Sequence, residues 1–89
     1  MLKIKISQPT KDELKKEGVD RWSSWECEPK TFDWEYDCNE TAYVKEGRVT
    51  VDGDGETVEI KAGDLVTFPA GLRCTWHVHE TIRKVYKFH

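Results

Sequence analysis

GDLVTFPAGLRCTWHV, residues Gly63 to Val78, decides how this chain is read. Leu65-Val66-Thr67-Phe68 is a short β-prone run that opens at Gly63 and closes at Pro69-Ala70-Gly71. Glycine tolerates the positive φ that tight turns demand, and proline cannot donate to a strand ladder. A second run, Leu72 to Val78, follows the turn. Side chains alternate faces along a strand, so Leu72, Cys74, Trp76 and Val78 share one side, and Arg73, Thr75, His77 and His79 the other. The apolar side faces a core. Cys74 and Trp76 therefore point inward, while the pair His77 and His79 points out as surface histidines.

The rest of the chain repeats this grammar. Leu2, Ile4 and Ile6 alternate with Lys3, Lys5 and Ser7 as a half-buried strand. Thr10-Lys11-Asp12-Glu13 forms a capping box, which starts a short helix that runs to about Glu17 and stops at Gly18, with Leu14 docking it. Strands are expected at Trp22 to Cys27, Thr31 to Tyr36, Glu40 to Lys45, Arg48 to Asp52, Thr57 to Lys61 and Ile82 to Phe88. Turns are expected at Glu46-Gly47 and in the hairpin signal Asp52-Gly53-Asp54-Gly55. Asp64, beside Gly63, is read as a cap on backbone amides. Many short strands divided by glycine and proline predict an all-β barrel or sandwich.

Composition narrows the function. The chain has 89 residues, which suits one domain. Charged residues make up 35 % of it, yet the net charge is −3 and Lys and Arg are scattered. That argues against nucleic acid and anionic membrane as partners, since both need a basic patch. No apolar run approaches membrane-spanning length, and the N-terminal stretch does not read as a signal peptide. Cys27, Cys38 and Cys74 are odd in number and lack CxxC spacing, which points to free thiols and a cytoplasmic location.

The spacing resembles the cupin superfamily, a jelly-roll β-barrel. Gly63, Pro69 and Gly71 match its second motif, in which Cys74 takes the place of the metal-binding histidine and Val78 that of the asparagine. Glu40 and Gly47 match the tail of its first motif. Within the superfamily, the runs Glu40 to Gly47, Gly63 to Gly71, Trp76-His77-Val78 and Arg83 to Tyr86 are similar to small proteins related to the cupin domain of ureidoglycine aminohydrolase. The resemblance covers residues 20–88. It implies a cupin jelly-roll β-barrel over residues 20–89, preceded by an N-terminal strand and short helix in residues 1–19. Homodimerisation is the family habit.

The two first-motif histidines fall on Asp33 and Glu35 in one spacing and on Trp34 and Tyr36 in the other. One residue of register reverses the chemistry. With Asp33 and Glu35 inside, Glu40, Cys74, Glu35 and Asp33 are the candidate ligands of a divalent metal, and the protein would be a hydrolase or isomerase. With Trp34 and Tyr36 inside, the histidine metal site is lost. Glu40, Cys74, Trp76, Trp34, Tyr36 and Phe68 then line an interior pocket for a small-molecule metabolite. Arg83, Lys84 and Tyr86 on the last strand are read as exposed pairing groups for acidic residues on a neighbouring strand or subunit.

Overall fold

The computed structural model describes residues 3–89, so Leu2 of the first expected strand lies outside the described residues. In chain order the elements are β1 (Lys5–Ser7), α1 (Lys11–Glu17), a 3-10 turn (Val19–Arg21), β2 (Ser23–Cys27), β3 (Thr31–Glu35), β4 (Glu40–Gly53), β5 (Glu56–Lys61), β6 (Leu65–Phe68) and β7 (Arg73–Phe88). The fold is mostly β, as the sequence predicts. Among the described residues no helix is long and apolar enough to cross a membrane.

The local signals act where they stand. The Thr10 side chain accepts from Glu13 N while Glu13 Oε1 accepts from Thr10 N, and Gly18 ends α1 at φ 73°. Leu14 is half-buried. Asp54 and Gly55 both take positive φ, the form of the two-residue turn that joins β4 to β5. Asp64, almost fully buried, accepts from Lys61 N and from the Gln8 side chain. Gln8 follows β1, whose residues Lys5 to Ser7 pair with Leu65 to Thr67. The N-terminal strand is thus part of the same sheet as the rest.

The spine is the antiparallel pair of long strands, β4 and β7. The first half of β4 also pairs with β6, and its second half with β5. β7 pairs with β3 over Arg73 to His77 and with β2 over Ile82 to Tyr86. The spine therefore carries two sets of neighbours, and their rings meet: Phe68 of β6 lies 5.7 Å from Trp76, and Trp25 of β2 lies 5.9 Å from the same ring.

Glu46-Gly47 is a correction to the expected turn. Both residues lie within β4, where the register against β7 shifts between Val44 and Val49. Before the shift Glu40, Ala42 and Val44 are buried; after it Val49 and Val51 are. A bulge supplies the extra residue that this change of parity requires. Gly47 sits there at φ 95°, and a Cβ on it would overlap Thr81 O and come within 2.7 Å of Ile82 Cα. The glycine serves a close approach of two strands rather than a reversal of the chain.

Candidate functional site

Parity settles the register of residues 33–36. Tyr36 is buried, and Phe32 and Trp34 share its side of β3, whereas Asp33 and Glu35 face outward. Asp33 accepts from the Thr75 hydroxyl at 2.8 Å, and Glu35 lies 3.5 Å from the Arg73 guanidinium. Tyr36 is fixed by backbone bonds to the Pro69-Ala70-Gly71 turn: its N–H donates to Leu72 O and its carbonyl accepts from Gly71 N. Its ring stacks on Phe68 at 4.7 Å.

A cavity of about 200 Å³ opens beside this stack. Its walls are Trp25, Phe32, Trp34, Tyr36, Trp76, Tyr86 and Phe88, and its charged groups are Glu40 and Lys84. Trp34, Tyr36, Trp76 and Glu40 are thus brought together. Phe68 is buried behind Tyr36. Cys74 lies instead at a shallow hollow on the other side of Trp34, with Asp33, Glu35, Asp52 and Arg73, and its thiol donates to Trp34 O at 3.6 Å.

Lys84 is the residue that sequence reading misplaced. It is 7 % exposed, and its Nζ donates to Glu40 Oε2 at 2.8 Å, with Glu40 equally buried. Four rings surround the ammonium: Trp76 at 4.8 Å, Trp25 at 5.0 Å, Tyr86 at 5.6 Å and Phe68 at 5.9 Å. Ring faces attract cations, more strongly when water is excluded. Parity carried the signal: Ile82, Lys84, Tyr86 and Phe88 share one side of β7, and three of the four are apolar. Arg83, on the opposite side, does pair outward, with Glu26 and Glu46 at 3.6 Å.

Burial dominates the electrostatics. It pushes the Lys84 ammonium down from its ordinary value, while Glu40 pulls it back part of the way. It pushes the Tyr36 hydroxyl strongly up, and the charges of Glu40 and Cys74 push it further. Burial also raises the Cys74 thiol, so the cysteine is a poor thiolate source. Among the described residues Trp76 Nε1 is buried without a hydrogen-bond partner, although it lies near enough to Tyr36 and Cys74 to favour their ionised forms.

The four candidate metal ligands do not assemble. Glu40 belongs to the cavity and is neutralised by Lys84, whose ammonium would repel a cation there. Asp33, Glu35 and Cys74 line the outer hollow, and among the described residues no group of three His, Cys, Asp or Glu is placed to hold a metal. His77 and His79 have separate partners: Nε2 of His77 meets Asp52 at 2.9 Å, and Nε2 of His79 meets the Thr50 hydroxyl at 2.7 Å. All three cysteines are free thiols.

The chain is similar to several known proteins. A solved DUF861 family protein from Thermotoga maritima shares 49 % identity over 98 % of this chain and 100 % of its own, with a TM-score of 0.96. The solved EutQ protein of Clostridium difficile shares 30 % identity over 71 % of this chain and 50 % of its own, with a TM-score of 0.65. A curated relative, "Acetate kinase EutQ" of Clostridioides difficile (strain 630), is 31 % identical over 61 residues, and the chain spans 39 % of its length. The profile of the EutQ-like cupin domain matches residues 14–86, so the jelly roll built around the Gly63 to Gly71 frame belongs to the EutQ-like cupin family.

Proposed function

We propose that this protein binds a small metabolite in the aromatic cavity, with the ligand's apolar body between the rings and its polar end at the Glu40–Lys84 pair. The observation that carries this reading is a desolvated ion pair forming part of the wall of a cavity. Replacing a buried pair with apolar residues is often neutral or stabilising, so the pair is weak evidence for stability as such. Apolar walls with a few convergent polar groups are the usual form of a small-molecule site. At about 200 Å³ the cavity suits a ligand smaller than a drug-sized one, for which ~300–1,000 Å³ is usual.

The metal-dependent alternative, a hydrolase or isomerase of the ureidoglycine aminohydrolase kind, draws no support from the donor set, which is divided between two sites. The kinase activity named for the longer Clostridioides difficile relative would ask this cavity to hold a phosphoryl group with Lys84, a cation that Glu40 already neutralises. Phosphoryl transfer rests on concentrated positive charge.

The test is thermal unfolding against a panel of small alcohols, amides, amines, carboxylates and carbonyl compounds, with and without a chelator. A ligand at a hundred times its Kd stabilises by about 2.7 kcal/mol. The expected result is a stabilisation that survives chelator and weakens in Trp76→Ala. Stabilisation abolished by chelator, or a panel without any hit, would overturn the reading.

A further inference from the structure

The cavity holds a primary amine in a setting that a structural ion pair does not need. Lys84 lines the cavity, and its Nζ lies 2.8 Å from one carboxylate oxygen and within 6 Å of four ring centres. The amine's nearest carboxylate can accept a proton from it, and the lysine is only 7 % exposed, so little water surrounds the amine. Lysines become nucleophiles in this kind of desolvated pocket.

We propose that the ligand is a small aldehyde or ketone with an apolar body, and that Lys84 captures it as an imine, with Glu40 moving the proton. This rests on the ligand-binding reading above and deepens it. The ammonium of Lys84 gives one proton to Glu40, and the free amine attacks the carbonyl carbon to form a C–N bond as the C=O π bond opens onto oxygen. A proton then passes from that nitrogen to the alkoxide to give a neutral carbinolamine. The carbinolamine hydroxyl then takes the proton back from Glu40 and leaves as water. The product is an iminium ion paired to the Glu40 carboxylate. The step is a condensation, with no net oxidation, and its charge balance is that of the starting ion pair.

The experiment uses the wild-type chain, benzaldehyde as the probe and cyanoborohydride to reduce the imine, followed by intact mass and peptide mapping. The expected result is one benzyl adduct on Lys84, formed at least about tenfold faster than on any other lysine, as a desolvated nucleophilic lysine would give. Benzyl alcohol, which has the same body and no carbonyl, should slow that labelling and raise the melting temperature. If benzyl alcohol stabilises the protein but benzaldehyde labels surface lysines and spares Lys84, the imine fails while the pocket stands. If benzyl alcohol neither stabilises nor protects and Lys84 stays unlabelled, both fail. Mapping on the wild-type chain makes the result independent of whether a Lys84 variant folds. A Lys84→Arg chain, which keeps the charge beside Glu40, should lose the fast adduct.

Discussion

Glu40→Gln tests the buried pair directly. The substitution keeps the shape of the side chain and removes the charge that Lys84 answers at 2.8 Å. An ammonium 7 % exposed and ringed by indoles and phenyls then has no counterion. Breaking such a pair from one side costs about 3–5 kcal/mol. An independent bound comes from deprotonation: holding a lysine neutral at pH 7, roughly 3.4 pH units below where an ordinary one loses its proton, costs about 4.6 kcal/mol. The two figures agree. A chain of this size has on the order of 4–13 kcal/mol of stability in total, at ~0.05–0.15 kcal/mol per residue. At about 4–8 °C per kcal/mol, the melting temperature should drop by roughly 12–40 °C. The pH dependence has a definite sign. Burial lowers Lys84 in the folded protein, so above its folded value the unfolded chain binds more protons and stability rises with pH. Loss of Glu40 widens that window downward, so the deficit of the variant should be largest near neutrality and shrink towards alkaline pH, by up to about 1.4 kcal/mol per pH unit. Urea unfolding followed by tryptophan fluorescence from pH 6 to 10 measures both quantities. A deficit below about 1 kcal/mol, or one that does not change with pH, would refute a desolvated pair. Should the single variant be too unstable to measure, Glu40→Leu combined with Lys84→Met should recover to within about 2 kcal/mol of the wild type or exceed it.

Gly47→Ala should cost at least about 2 kcal/mol in urea unfolding, because the residue sits at φ 95° and a Cβ would press on the backbone of Thr81 and Ile82. A neutral effect would mean that the bulge is not closely packed against β7. Alkylation of the native protein with iodoacetamide near pH 8 should label the half-exposed Cys38 first, with Cys74 protected until unfolding by burial and by a raised thiol. Rapid native labelling of Cys74 would contradict its placement.

What could be read in the sequence was what a few neighbouring residues determine together. The capping box, the Asp54-Gly55 turn and the Pro69-Ala70-Gly71 turn depend on local backbone preferences, and each stands where its residues put it. Gly47 misled because a positive-φ glycine suits a bulge as well as a turn. Only the flip from buried Val44 to buried Val49, an odd step, distinguishes the two. The register at Trp34 and Tyr36 stayed open because it depends on which partner β3 meets; the pairing of Trp34 with Cys74 answers it. Lys84 could have been found. Applying to Ile82-Lys84-Tyr86-Phe88 the alternation already applied to Leu72-Cys74-Trp76-Val78 places the lysine inside, and the general rarity of buried lysines hid it.

Lys84 also makes sense of the altered motif. Glu40 keeps the position that the superfamily pattern gives to an anionic metal ligand, but aromatic rings hold the positions at 34 and 36 and Cys74 turns to a backbone carbonyl. A buried carboxylate still requires a positive charge, and here the chain provides it from β7, across the spine from Glu40. A tethered ammonium differs from a bound ion in two ways that matter for chemistry. It cannot be removed by a chelator, and it can be switched off by losing a proton. The neighbours of the ammonium suit it: the ring faces of Trp25, Phe68, Trp76 and Tyr86 attract its charge without competing for its protons. The Glu40 carboxylate and the buried Lys84 ammonium are therefore one unit of the site, supplied from two strands.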